Sequence, residues 1–168
     1  MDVRYINPFI DSIQNTFKTM CGLSVHIGDP SLKIDDAPGA DVSSVIGFSG
    51  DAAGSVVLHF SFETASKVCT AFAGADIDPQ HPDFADALGE LTNIVAGGAK
   101  AKFDGVNISI SLPNVIVGKN HCVSASKSSP RILIPCSTDA GAFHLEIGMV
   151  LTKPAAVSGD VQTAGVNA

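Results

Sequence analysis

Several residue types that mark particular classes of protein are rare or absent in this chain of 168 residues. It has no tryptophan and a single tyrosine, which disfavours a surface of stacked aromatic rings for single-stranded nucleic acid. Only 10 lysines and arginines stand against 17 acidic residues, and the resulting net charge of −7 argues against a phosphate-backbone partner. No apolar run reaches the roughly 18 residues of a membrane span, and the N-terminus lacks the pattern of an export signal. We therefore expect a cytoplasmic protein with no nucleic-acid or membrane partner.

Motifs for metal binding and nucleophilic catalysis are also missing. The five histidines form no H-x-x-x-H pair, and the adjacent His121 and Cys122 do not place two ligands on one face of a helix or strand. The four cysteines contain no C-x-x-C pair and are expected to be reduced, mostly buried thiols. The glycine-rich segment 47–54 lacks the Lys-Ser/Thr of a phosphate-binding loop, and no G-x-S-x-G elbow occurs. We expect this chain to bind neither a metal nor a cofactor.

The chain does contain enough apolar residues to form a sizeable core, at 45 % of the sequence, with only 16 % charged. Their spacing predicts helices and hairpins in separate blocks. Helices are predicted at 4–20, 62–73 and 82–103. Hairpins are predicted at 42–60 and 131–151, shorter strands at 23–27, 106–112, 115–117 and around 122–126, and turns at 28–30 and 37–39.

Segregated hairpins favour an antiparallel sheet, so the predicted fold class is α+β, with about three helices packed on one face of the sheet. We assign residues 1–153 to a single domain and 154–168 to a loosely ordered C-terminal tail. Pro8 is placed in the first turn of the first helix, which Gly22 should end. Ser61 should cap the second helix, with Thr64 as a second candidate, and Gly74 should end it.

The predicted helix 82–103 has two different faces, each repeating every three or four residues. Its apolar face comprises Leu88, Leu91, Val95, Ala99 and Phe103. Its polar stripe comprises Asp86, Glu90, Asn93, Gly97 and Lys100. Spacing alone leaves two interpretations of the stripe open, a solvated surface or a docking and reaction surface.

Three residues of the stripe, Asp86, Glu90 and Asn93, are about one helical turn apart. A carboxamide both donates and accepts hydrogen bonds, so Asn93 could hold a water molecule in line with a phosphorus atom without becoming charged. The Glu90 carboxylate could anchor a cation that belongs to another molecule. These are the tasks that phosphoryl transfer asks of a protein, namely positioning the water and stabilising charge.

The chain resembles the CheX proteins of the CheC/CheX/FliY family of bacterial chemotaxis phosphatases over about residues 4–152. One mark is the segment from Tyr5 to Leu23, which is similar to the opening of CheX-like chains. The second is Asp86-x-x-x-Glu90-x-x-Asn93, which matches the family's active-site pattern, with Ile94-Val-Ala-Gly-Gly-Ala-Lys100 continuing it. This chain has a single copy of the motif, as CheX proteins do, whereas CheC proteins carry two.

The resemblance implies hydrolysis of the aspartyl phosphate of a CheY-like response regulator. Asn93 would position the attacking water, Glu90 would pair with a lysine of the regulator, and Asp86 would support them. The Mg²⁺ would belong to the phosphorylated regulator, and two copies of the chain would pair through sheet edges into a homodimer.

One departure from the family pattern lies after the motif. The family has a proline a little over twenty residues beyond the asparagine, where this chain has Ile116, and the nearest proline is Pro113. The alternatives to a phosphatase are a non-catalytic receiver-docking module of the same fold and an unrelated oligomeric structural protein. For Gly97 and Gly98, close approach of a partner and tight internal packing are both open.

Overall fold

The protein is described by a computed structural model that covers residues 3–33, 39–124 and 130–152. One antiparallel sheet carries three helices on one face, which confirms the predicted α+β class. The predicted tail at 154–168 and part of the predicted turn at 37–39 lie outside the described residues. Within the described ranges, no helix is long and apolar enough to cross a membrane.

The helices are α1 (Val3–Thr16), which continues as a π-helical turn (Phe17–Cys21), α2 (Phe62–Ala73) and α3 (Phe84–Lys100). The strands are β1 (His26–Ile27), β2 (Ser31–Leu32), β3 (Ala40–Gly50), β4 (Ala52–Phe60), β5 (Ile108–Ile110), β6 (Asn114–His121), β7 (Arg131–Thr138) and β8 (Gly141–Leu151). Their order across the sheet is β1-β7-β8-β4-β3-β5, with β2 also paired to β7 and β6 also paired to β3.

Helix α1 and its π-helical turn occupy the predicted range and end at Gly22, as predicted, with the glycine in the left-handed conformation (φ 68°). The placement of Pro8 was wrong, because α1 already begins at Val3 and Pro8 lies in its second turn. Burial of Ile6 in the core favours helix ahead of the proline. Since Pro8 has no amide hydrogen, the carbonyl of Arg4 lacks its usual helical partner.

Helix α2 matches its prediction at both ends. The Ser61 hydroxyl accepts a hydrogen bond from the Thr64 amide at 3.2 Å, which satisfies one of the free amides of the first turn. Gly74 ends the helix with φ 69°, and its amide donates to the Thr70 carbonyl. Buried Ala65 and Val68 pack in the core, so local capping and tertiary packing favour the same boundaries.

Both predicted hairpins form. In the first, the β3–β4 ladder ends at a pair between Phe48 and Gly54. Only Asp51 separates the two strands, because beyond this pair β3 continues against β5 and β4 begins against β8. Gly54 has φ +153°, and a Cβ there would collide with the carbonyl oxygen of Gly148 on β8. A glycine is therefore required where β4 passes β8, which is a reason for the glycine-rich segment unrelated to phosphate binding.

The shorter strands differ most from prediction. Strand β1 is confined to two residues of the predicted 23–27, and β5 is confined to three of the predicted 106–112. Beyond β5, Ser111 accepts a bond from the Gly47 amide through its hydroxyl, and it does not continue the strand. Strand β6 is longer than predicted, running to His121, whereas residues 122–124 form no strand and 125–126 lie outside the described residues.

The core lies between the helices and the inward face of the sheet. Leu58 on β4 pairs with Leu145 on β8, and both are fully buried. Phe143 stacks between Phe17 from the end of α1 and Phe60, with ring centroids 5.1 Å apart in each pair. These contacts fix the position of the helical layer on the sheet.

The opposite face of the sheet holds a charge cluster centred on Glu146, whose side chain is 3 % exposed. Its carboxylate accepts from Lys33 Nζ at 2.7 Å and Arg131 at 2.9 Å, and it lies 2.9 Å from His59 Nε2. Burial alone would raise the pKa of Glu146, but the hydrogen bonds from His59 and Lys33 and their charges outweigh it and lower the pKa to about 2. The cluster ties β8 to β4, to β7 and to the chain after β2.

Candidate active site

The apolar face of α3 is built as predicted and fixes the orientation of the helix. Leu88, Leu91 and Val95 are fully buried against the sheet and the neighbouring helices. The predicted helix was three residues too long at its C-terminal end, because the amide of Lys102 bonds the Ala99 carbonyl and tightens the last turn. Phe103 nevertheless joins the core from beyond the helix, with its ring 5.8 Å from that of Phe9.

With that face buried, the polar stripe must point away from the sheet. Asp86 and Glu90 are exposed and Asn93 is half-buried, so the structure places all three predicted site residues on one outward side of α3. Rises of about 6 Å and about 4.5 Å along the axis separate successive members. Within the described part of the chain, no hydrogen bond or ion pair engages the Glu90 or Asn93 side chain. Their functional groups are therefore available to another molecule.

A cleft of about 450 Å³ lies beside Glu90, between α3 and the connection from β5 to β6. It is lined by Ala85, Asp86, Gly89, Glu90, Pro113 and Val115. Asn93 lies outside the cleft, so the three site residues form an exposed ridge along its edge and are not enclosed in a pocket.

Gly89 is a site residue that the sequence analysis missed. It is buried, and a Cβ at this position would lie 3.2 Å from Cγ of Pro113, closer than most real contacts. The missing side chain therefore lets Pro113 sit against the helix next to Glu90. Its one signal in the sequence was a glycine in the middle of an amphipathic helix, where glycine costs about 1 kcal/mol relative to alanine.

The two glycines after the motif have different environments. A Cβ on Gly98 would collide with the Ser12 hydroxyl of α1, which donates to the Val95 carbonyl at 2.7 Å. Gly98 thus serves close packing of α1 on α3. Around Gly97 nothing lies within 4 Å of the Cβ position, so this glycine leaves open space on the side that carries Asn93.

The described residues contain no group of three side chains that could hold a metal ion. A Glu146–His59–Ser43 chain has the order of a nucleophilic triad, with His59 Nδ1 2.8 Å from the Ser43 hydroxyl. However, Ser43 is fully buried and its hydroxyl also lies 2.7 Å from His121, so no substrate can reach it. The hydrogen-bonded series Glu146–His59–Ser43 therefore has a structural role.

The cysteines are free, as expected, although only Cys69 and Cys136 are buried. Burial raises the pKa of Cys69 to about 12, and that of Cys136 and the half-buried Cys21 to about 11. These three thiols are protonated near neutral pH and are poor nucleophiles. Cys122 is exposed, contrary to the expectation of mostly buried thiols.

The sequence and fold of this chain are similar to those of several known proteins. The CheY-P phosphatase CheX of Thermotoga maritima is 33 % identical over 123 residues, which cover 71 % of this chain and 79 % of the relative. A CheC-like superfamily protein from a Shewanella species matches with a TM-score of 0.82 and 33 % identity, covering 89 % of this chain and 99 % of that chain. A chain of the CheX–CheY–BeF3–Mg²⁺ complex from Borrelia burgdorferi matches with a TM-score of 0.74 and 26 % identity, covering 86 % and 97 %.

The family model described as chemotaxis phosphatase CheX matches residues 42–137. The match spans the sheet from β3 to β7 and includes α3 with its stripe. Together with the identity to the Thermotoga relative, it shows that the chain belongs to the CheX family of chemotaxis phosphatases.

Proposed function

We propose that this chain hydrolyses the aspartyl phosphate of a CheY-like response regulator through the ridge formed by Glu90 and Asn93. The observation that carries the proposal is an exposed carboxylate and a half-buried carboxamide, three residues apart on a rigidly packed helix, with no partner among the described residues. Family membership and the activity named for the Thermotoga relative support the same reaction.

Asn93 is the residue that acts on the attacking water. Its carboxamide oxygen accepts a hydrogen bond from the water and directs the water oxygen at phosphorus. As the new P–O bond forms, the bond from phosphorus to the aspartyl oxygen breaks, releasing inorganic phosphate and restoring the aspartate carboxylate. Partial burial limits the conformational freedom of the Asn93 side chain. The adjacent Thr92 is fully buried, and its hydroxyl donates to the Leu88 carbonyl at 2.8 Å.

Glu90 binds the partner in this proposal. Its exposed carboxylate pairs with a lysine of the regulator, and Asp86 one turn earlier adds negative charge to the same edge. Such a pair becomes stronger when both proteins exclude water around it. We propose that Mg²⁺ is held by the regulator and that this chain binds no cofactor.

A homodimer paired through sheet edges is part of the proposal. Strand β6 bonds β3 on one side, and no described strand pairs with its other edge. Ile116 and Val117 on this strand are 40 % and 46 % exposed, and an unpaired apolar edge favours pairing with another chain. Ile116→Lys should shift the protein to monomer in analytical ultracentrifugation. A dimer that persists in this variant would rule out the β6 edge as the dimer interface.

We further propose that the protein works in the cytoplasm.

The decisive experiment follows the decay of phosphorylated receiver with and without this chain. Asn93→Ala should abolish the acceleration, and Glu90→Ala should weaken docking or reduce the rate. Matched controls are Asn15→Ala on α1 and Glu63→Ala on α2, which remove the same groups from exposed positions of other helices.

The outcomes separate the candidate functions. Wild-type protein that binds the receiver but leaves its decay unchanged would be a receiver-docking module and not a phosphatase. Full activity in Asn93→Ala would reject the assigned role of the carboxamide even if the protein is a phosphatase.

A further inference from the structure

Leu112 is unusual among the large apolar side chains of the described residues because it is 85 % exposed. The next most exposed, Leu32, is 61 % exposed and lies on the edge strand β2. Leu112 belongs to the connection between β5 and β6, which borders the cleft beside Glu90. An isolated exposed leucine needs no explanation, but this one directly precedes Pro113, which lines the cleft beside Glu90.

The connection is braced on both sides of Leu112. Before it, the Ser111 amide donates a hydrogen bond to the Gly47 carbonyl at 2.9 Å, and the Ser111 hydroxyl accepts one from the Gly47 amide at 2.9 Å. After it, Pro113 rests against the bare backbone of Gly89 on α3. Both neighbours are held in place, and the Leu112 side chain between them is presented to solvent.

The cleft lined by the next residue, Pro113, has an acidic far side. Asp86 and Glu90 lie on that side, and exposed Asp83 precedes them at the start of α3. Protein interfaces concentrate their binding energy in an apolar anchor with a polar rim around it. An exposed apolar side chain next to a cleft with an acidic far side thus fits a partner surface that has an apolar depression near basic residues.

We propose that Leu112 is the docking anchor for the phosphorylated receiver. It inserts into an apolar depression of the receiver while Glu90, on the far side of the cleft, pairs with the receiver's lysine. This inference rests on the proposed function. The receiver is taken as the occupant because Leu112 is next to the cleft beside Glu90, which is proposed to bind the receiver. The two attachment points together hold the receiver against the helix that carries Asn93.

The test compares Leu112→Ser with Leu32→Ser, which removes an exposed leucine from the opposite edge of the sheet. Binding is measured by titrating a fluorescently labelled receiver activated with beryllium fluoride, and catalysis by the decay of phosphorylated receiver at saturating concentration. Leu112→Ser should raise Kd about tenfold, which corresponds to about 1.4 kcal/mol, while the saturated rate changes less than about twofold. Leu112→Met should restore binding, and Leu32→Ser should leave Kd unchanged.

Each outcome decides a separate question. An unchanged Kd in Leu112→Ser overturns the docking proposal, even if the wild type accelerates decay normally. A wild type that binds without accelerating decay refutes the phosphatase function, while Kd still tests the anchor. If Leu112→Ser alters the oligomeric state and not receiver binding, the leucine belongs to an interface between copies of the chain and the proposal is wrong.

Discussion

The charge cluster on the sheet face away from the helices predicts how the protein responds to acid. Burial opposes ionisation of Glu146, but the hydrogen bonds and charges of His59 and Lys33 outweigh it, so its pKa in the fold is about 2, against an ordinary value of 4.5. In the unfolded chain the carboxylate loses these partners and takes up a proton at higher pH. Because the folded pKa is the lower one, the contribution to stability is complete above about pH 5 and is lost as the pH falls toward 2.

The size of this contribution to stability follows from the difference between the folded and unfolded pKa values of Glu146. A difference of about 2.5 units at about 1.36 kcal/mol each is worth about 3 kcal/mol, and about 2 kcal/mol of it is lost between pH 5 and pH 3. The Glu146 side chain is 3 % exposed, so solvent screening removes little of this contribution. Glu146→Gln lacks the titrating group and leaves two cations without their counter-charge, so we expect it to be less stable at neutral pH.

The assay is urea unfolding of wild type and Glu146→Gln at pH 7, 5 and 3. The stability gap between the two proteins should narrow by about 2 kcal/mol from pH 5 to pH 3, because only the wild type loses the contribution of Glu146. A gap that stays constant over this range would refute the linkage. NMR titration of the Glu146 carboxyl in the folded protein gives an independent measurement, and a midpoint near 4.5 would contradict the assigned pKa.

The glycines of α3 give the remaining predictions. Gly97→Ala should raise the free energy of unfolding by about 1 kcal/mol, since alanine favours helix and nothing lies near the added Cβ. Gly98→Ala should raise the free energy of unfolding by less than Gly97→Ala does, or lower it, as measured by chemical unfolding. The added Cβ displaces the Ser12 hydroxyl from its hydrogen bond to the Val95 carbonyl. Gly89→Val should push Pro113 off the helix and weaken receiver binding while leaving the far-UV circular dichroism spectrum unchanged.

Local features of the sequence predicted the fold where local physics determines it. The boundaries of α2 follow from a side-chain cap at Ser61 and a left-handed glycine at Gly74, both of which act within one helical turn. The outward position of Glu90 and Asn93 follows from the periodic apolar face on the other side of α3. The catalytic roles of these two residues, and the assignment of 1–153 to a single domain, stay predictions.

Features that depend on distant parts of the chain could not be predicted in this way. His59 and Glu146 are 87 residues apart and meet only through the pairing of β4 with β8. Likewise, Pro113 contacts Gly89 because the sheet brings the β5–β6 connection against α3, so the displaced proline of the motif could not be placed from spacing. The strand boundaries on both sides of Asp51 likewise depend on distant pairing, because Gly50 pairs with β5 and Ala52 pairs with β8 beyond the end of the β3–β4 ladder.

The open ridge of α3 limits what this protein can hydrolyse alone. Glu90 is exposed to solvent, and the neighbouring cleft does not enclose Asn93, so the ridge is not shielded from water. Preorganised dipoles stabilise a transferring phosphoryl group effectively only where water is excluded. On the proposed function, that exclusion is supplied by the partner protein. Small acyl phosphates such as acetyl phosphate, which bring no protein surface with them, should therefore be hydrolysed no faster in the presence of this chain than in its absence.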